Sequence, residues 1–128
     1  MSKKIKATAI EQEVRSIAEK NPDFVYRSPL AEDNERCVYI HNGKPSCIVG
    51  QALVRLGVDK EFLHKLDTDY EGGVGILEAL QSYDEFEFDD KEAADLVAWS
   101  QHFQDTGIPW GEAVERAEIG RASCRERV

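Results

Sequence analysis

The stretch Cys37-Val-Tyr-Ile-His-Asn-Gly-Lys-Pro-Ser-Cys-Ile-Val-Gly-Gln-Ala-Leu-Val-Arg-Leu-Gly57 decides how this chain is read. Cys37 to His41 is rich in β-formers and predicts a strand. Asn42-Gly43 behind it is the strongest short hairpin signal, because a type I′ turn needs positive φ at both central residues. Pro45 has no ladder donor, so pairing should end early. Ser46 reads as an N-cap, and Val49, Ala52, Leu53 and Leu56 form a stripe at i, i+3, i+4 and i+7. Gly57 suits a left-handed residue that stops this helix, with Val58 placed to fold back onto its last turn. A strand, a turn, a helix start and a helix stop thus fit into one short segment.

Upstream, Thr8 and Glu11 have capping-box spacing, and Ile10, Val14 and Ile17 continue at helical period until Asn21-Pro22, which predicts a helix over 9–20. Asp23-Phe-Val-Tyr-Arg27 has strand composition, and Ser28 to Arg36 reads as a loop. Downstream, Asp59 caps a short helix through Phe62, Leu63 and Leu66. Asp67 to Gly73 reads as a loop. Val74, Leu77, Leu80 and Tyr83 define a further helix. Asp89 and Glu92 then look like the cap of a long helix to about Asp105, with Leu96, Trp99 and Phe103 as its inward face. Gly107 ends that helix, Pro109 suits the first turn of the next, and Trp110, Ala113, Val114 and Ala117 give the last stripe. The expected fold is therefore a single α+β domain: a small antiparallel hairpin sheet of two or three strands, packed with four to six helices.

The end of the chain, Ile119-Gly-Arg-Ala-Ser-Cys-Arg-Glu-Arg-Val128, looks like a translated sequencing adapter, ATC GGA AGA GCG TCG TGT AGG GAA AGA GTG. The expected organisation is a domain over 1–118 and a non-native tail over 119–128. The formal charge is −9, and the tail's three arginines and one glutamate contribute +2 to it, so the domain itself carries −11. Such acidity repels phosphate backbones and argues against direct binding of nucleic acid. No apolar run reaches the roughly 18 residues of a membrane span. The start, Met1-Ser-Lys-Lys-Ile-Lys6, lacks the apolar core of a signal peptide. Two cysteines remain once Cys124 is set aside, which fits a reduced compartment. The expected location is cytoplasmic.

Cys47-Ile-Val-Gly-Gln-Ala-Leu-Val-Arg-Leu-Gly57, followed by Gln104-Asp-Thr-Gly-Ile-Pro-Trp-Gly-Glu-Ala113, resembles an uncharacterised family of small proteins from actinobacteria and their phages. The similarity spans roughly residues 37–117. It implies an origin in a phage or mobile element, and it brings no activity and no site residues with it.

Four constellations carry candidate chemistry. Cys47, near a helix start that would lower a thiol's pKa, is a candidate nucleophile, with His41 or His102 as base and Asp105 as orienting acid. Cys37, His41 and Cys47, completed by His64 or His102, have zinc-type ligand chemistry but lack a C-x-x-C knuckle, and regular pairing places Cys37 and Cys47 on opposite faces; no metal or other cofactor is expected. Tyr39, His41, Gln101, His102, Asp105 and Trp110, with Gln104, offer a ring that could stack on a base and polar groups that could read its edges. Asp84, Glu85, Glu87, Asp89 and Asp90, interleaved with Phe86 and Phe88, form either a solvated edge strand or an acidic patch for a basic partner, including one that normally binds DNA. Gly72-Gly73-x-Gly75 has phosphate-cradle composition but no P-loop lysine. The leading expectation is a non-enzymatic cytoplasmic binding protein of phage or prophage type that sequesters a nucleotide-derived host signal. The alternatives are an acidic inhibitor of a basic host protein and a Cys47 thiol enzyme. Homo-oligomerisation is left open.

Overall fold

Ile10, Val14 and Ile17 share one face of the first helix, and all three are buried in one core cluster with Leu53, Leu63, Ile76 and Val97. Around that face the computed structural model describes residues 4–26, 39–41, 43–68 and 76–126, with the backbone alone described at His41, Thr68 and 121–126. The elements in chain order are β1 (Ile5–Lys6), α1 (Ala7–Lys20), β2 (Ile40–His41), β3 (Lys44–Pro45), α2 (Ile48–Arg55), α3 (Lys60–Thr68), α4 (Ile76–Ser82), β4 (Phe86–Glu87), α5 (Lys91–Asp105) and α6 (Trp110–Glu126). Helix α5 packs on α1, α4 and α6, and α1 also packs on α2.

The architecture is mostly helical, which corrects the expected antiparallel sheet layer. β1 and β4 pair in parallel, Ile5 beside Phe86 and Lys6 beside Glu87, joining segments some eighty residues apart. The antiparallel contact of β2 with β3 covers only two residue pairs, Ile40 with Pro45 and His41 with Lys44, beside Gly43 at φ 76°. It ends there because Pro45 offers no N–H and the chain turns into α2. The N–H of Ser46 still reaches the carbonyl of Tyr39 at 3.0 Å.

Several termini differ from the sequence expectation. Thr8 does not cap α1 with its own side chain; its N–H and hydroxyl donate to Asp89, at 3.2 and 2.7 Å. That carboxylate sits where the α1 dipole favours negative charge. Asp90, rather than Asp89, is the N-cap of α5, accepting from the N–H groups of Glu92 and Ala93. Cys47, rather than Ser46, is the N-cap of α2, its sulfur accepting from Gly50 N–H at 3.4 Å. The stop of α2 follows the Schellman pattern: Gly57 has φ 90°, and the N–H of Val58 reaches the carbonyl of Leu53 at 3.0 Å.

Asp23 to Tyr26 is not a strand. The carbonyls of Pro22 and Phe24 instead accept from Gly111 (3.0 Å) and Trp110 (2.9 Å), satisfying donors at the start of α6 that have no partner inside that helix. Helix α5 is rotated from its expected register. Trp99 is 49% exposed, and the inward face is Ala93, Ala94, Leu96, Val97, Ser100, Gln101 and Gln104. The small side chains permit close approach to α1 and α6, and the two glutamines serve backbone groups inside. Helix α6 runs on into the adapter-like segment as far as Glu126, and Ile119 there is exposed.

Candidate functional site

Of the expected ligand set, Tyr39, Gln101 and Trp110 lie in the interior with Gln104, and Asp105 is half-buried beside them. Gln104 is fully buried, and its Oε1 accepts from the Ile48 N–H at 2.8 Å and from the Trp110 indole at 3.1 Å. Its Nε2 donates to Asp105 at 2.9 Å. One amide therefore fastens the start of α2 to the ends of α5 and α6. Trp110 is 2% exposed, and its ring lies 4.5 Å from that of Phe24. The buried Tyr39 phenol bonds to Gln101. Burial pushes this phenol well above its usual range, the negative charges of Asp67 and Asp105 push the same way, and the Gln101 bond opposes them. Gln101 Oε1 also lies 3.5 Å from the N–H of Ile76, at the start of α4. Buried Asp67 accepts from the backbone N–H groups of Tyr39 (3.0 Å) and Ile40 (3.2 Å).

This network explains the residues chemically as fold-making. A base needs an open ring face to stack on, and the rings of Tyr39 and Trp110 are enclosed. His102 is exposed on the other side of α5 and packs with Trp99 and Phe103, at 5.4 Å and 5.5 Å from their rings. The His41 side chain lies outside the described residues. Cys47 is buried and disulfide-bonded, which overturns the expectation of free thiols; an oxidised sulfur is not a nucleophile. Cys37 and Gly72-Gly73-x-Gly75 lie outside the described residues. Among the described residues no three His, Cys, Asp or Glu side chains are grouped as metal ligands.

Gly50 and Gly111, one in each motif, are also accounted for by packing. A Cβ on Gly50 would overlap the Tyr39 carbonyl oxygen and stand 2.8 Å from its carbonyl carbon. On Gly111 it would stand 2.9 Å from the Pro22 side chain. Both positions are close approaches of backbone to backbone or ring, where any larger residue must displace its neighbour.

The acidic run divides into two parts with different uses. Asp89 and Asp90 are committed to helix caps. In Asp89 burial alone would raise the pKa, but the Thr8 hydroxyl and the backbone N–H groups of Thr8, Asp89 and Ala7 outweigh it and hold the carboxyl below its usual value. Asp84, Glu85 and Glu87 are exposed, and among the described residues none of them is in an ion pair. Lys6 is the register neighbour of Glu87, yet no ion pair joins them. Arg15, Arg55, Lys91 and Arg116 are paired with other carboxylates. Phe86, between the free acids, is buried and anchors the strand.

Beside these acids lies a groove of about 510 Å³ lined by Lys4, Ile5, Gly57, Val58, Asp59, Phe62, Asp84 and Glu85. Sequence reading missed it, since Val58, Asp59 and Phe62 carry only helix-stop, cap and core signals of their own. Phe62 packing on Tyr83 and Phe86 brings this segment to the acids, and the pairing of β1 with β4 adds Ile5. Comparison with protein-family models, with curated proteins and with solved structures finds no match to this chain. Among the described residues no helix is long and apolar enough to cross a membrane.

Proposed function

We propose that this protein is a non-enzymatic binding domain that engages a basic protein surface through Asp84, Glu85 and Glu87. The observation that carries this reading is the division of the acidic run. Two carboxylates hold helix ends, while the other three stand exposed, outside any ion pair among the described residues and close together on one anchored strand and its approach. Unneutralised charge of one sign raises the local concentration of an oppositely charged partner and speeds encounter. A basic host protein that normally grips a phosphate backbone is a partner of this chemistry, in keeping with the phage-type resemblance. The leading expectation from the sequence, a nucleotide-derived ligand, loses support from the enclosed rings of Tyr39 and Trp110.

Isothermal titration with an arginine-rich peptide, at ionic strengths of about 0.01 and 0.15 M, tests the reading. Binding should weaken steeply with salt and fall at least about tenfold in a protein carrying Asp84→Asn, Glu85→Gln and Glu87→Gln. Neutralising Glu19, Glu78 and Glu115 instead should cost little. Equal losses from both triple variants would mean that the peptide senses net charge alone, and the reading would fail.

A further inference from the structure

We infer that the groove beside β1 and β4 seats a partner segment in which an apolar side chain is flanked by lysine or arginine. This inference rests on the proposed basic partner and adds where and how that partner is gripped. The floor is apolar, formed by Ile5, Val58 and Phe62, and the rim is acidic, formed by Asp59, Asp84 and Glu85, with Lys4 as the one cation among the described lining residues. Three carboxylates against one ammonium leave the rim complementary to a cation.

Asp59 is partly committed, since its Oδ1 accepts from the Glu61 N–H at 3.0 Å as the cap of α3. Asp84 and Glu85 have no such duty, so they are the groups left to receive a guanidinium or ammonium. The floor is held rigidly. The Phe62 ring lies 5.7 Å from Tyr83 and 5.8 Å from Phe86, and the N–H of Val58 is bonded to α2 through the Leu53 carbonyl. A preformed apolar seat under a charged rim loses little entropy when it is filled. At about 510 Å³ it is large enough for a bulky apolar side chain together with the stem of a basic one.

Fluorescence anisotropy tests the inference on the intact chain with three labelled peptides. The first is Ala-Arg-Leu-Arg-Phe-Arg-Leu-Ala, the second has every Leu and Phe replaced by Ser, and the third has every Arg replaced by Glu. The first should bind at least about tenfold more tightly than the second, since apolar burial is added to equal charge. The third should not bind. Asp84→Asn with Glu85→Gln should weaken the first peptide at least about tenfold. The charge-matched pair Glu19→Gln with Glu78→Gln should change it less than about twofold. Circular dichroism checks that all variants are folded. If the first two peptides bind equally and both double variants behave alike, the groove inference is overturned while a diffuse acidic contact survives. If neither basic peptide binds, the proposed function falls with it. A dimer seen by sedimentation that dissociates on Asp84→Asn with Glu85→Gln would assign the groove to a second copy and overturn the peptide partner.

Discussion

Replacing Gln104 by leucine keeps the side-chain volume nearly constant and removes only the polar amide. In the native fold that amide accepts from the Ile48 N–H and the Trp110 indole and donates to Asp105. Leucine accepts nothing, so two buried donors lose their partner, each at a cost of about 1–3 kcal/mol. Asp105 is only partly buried, and water replaces what it loses. Better burial of the apolar leucine returns about 1 kcal/mol. The net destabilisation should be about 3 kcal/mol, a large share of the roughly 5–15 kcal/mol that holds a domain together. The corresponding drop in Tm is roughly 10 °C. Urea unfolding followed by far-ultraviolet circular dichroism measures it. Trp110→Phe supplies the internal control, because in the Gln104→Leu background it removes one of the two orphaned donors. It should therefore cost about 1 kcal/mol less there than in the native protein. A loss below about 1 kcal/mol for Gln104→Leu, or no coupling with Trp110→Phe, would refute the bridging role of this amide.

Four further outcomes follow from the geometry. Gly50→Ala should cost about 3 kcal/mol or prevent folding, because its methyl meets the Tyr39 backbone, whereas Gly57→Ala, strained only by its φ of 90°, should cost about 1 kcal/mol; thermal melts compare them. The folded pKa of Asp89 is lowered, so its stabilisation is present above the unfolded value of about 3.9 and is lost as pH falls through the folded one. The acid limb of a stability profile should be slightly shallower in Asp89→Asn. For Tyr39 the folded pKa is raised, so stability should fall once pH exceeds the unfolded value of about 10, and the Tyr39 phenolate band should appear only with unfolding. The three cysteines should show one thiol in denatured, unreduced protein and three after reduction, since Cys47 is disulfide-bonded; three in both would place a free thiol at Cys47.

Local signals in the sequence were legible where local chemistry decides the structure. Gly57 and Val58 stop α2 because a left-handed residue and a returning N–H need nothing from elsewhere. The Ile10, Val14 and Ile17 stripe faces inward because its period matches the helix. What escaped was tertiary. Two-residue strands have no period to read, so the pairing of Ile5 with Phe86 left no trace in the sequence. Thr8 carries capping-box spacing, yet its donors go to Asp89, eighty-one residues away. In α5 hydropathy favours Trp99 as a core residue, but the close approach of α1 and α6 selects alanines and valine there, and the buried backbone N–H groups of Ile48 and Ile76 select Gln104 and Gln101. The same demand drew Tyr39 and Trp110 inward and left Asp84, Glu85 and Glu87 exposed together on β4 and its approach.

The direct measurement of that surface is an amide proton–nitrogen correlation spectrum of labelled protein, titrated with the peptide Ala-Arg-Leu-Arg-Phe-Arg-Leu-Ala. Shifts should concentrate at Ile5, Gly57, Val58, Asp59, Phe62, Asp84 and Glu85, which line the groove, and at Glu87 on the acidic strand. Shifts centred instead on Tyr39, Gln101 and the Trp110 indole, or spread evenly over all the acids, would contradict the account.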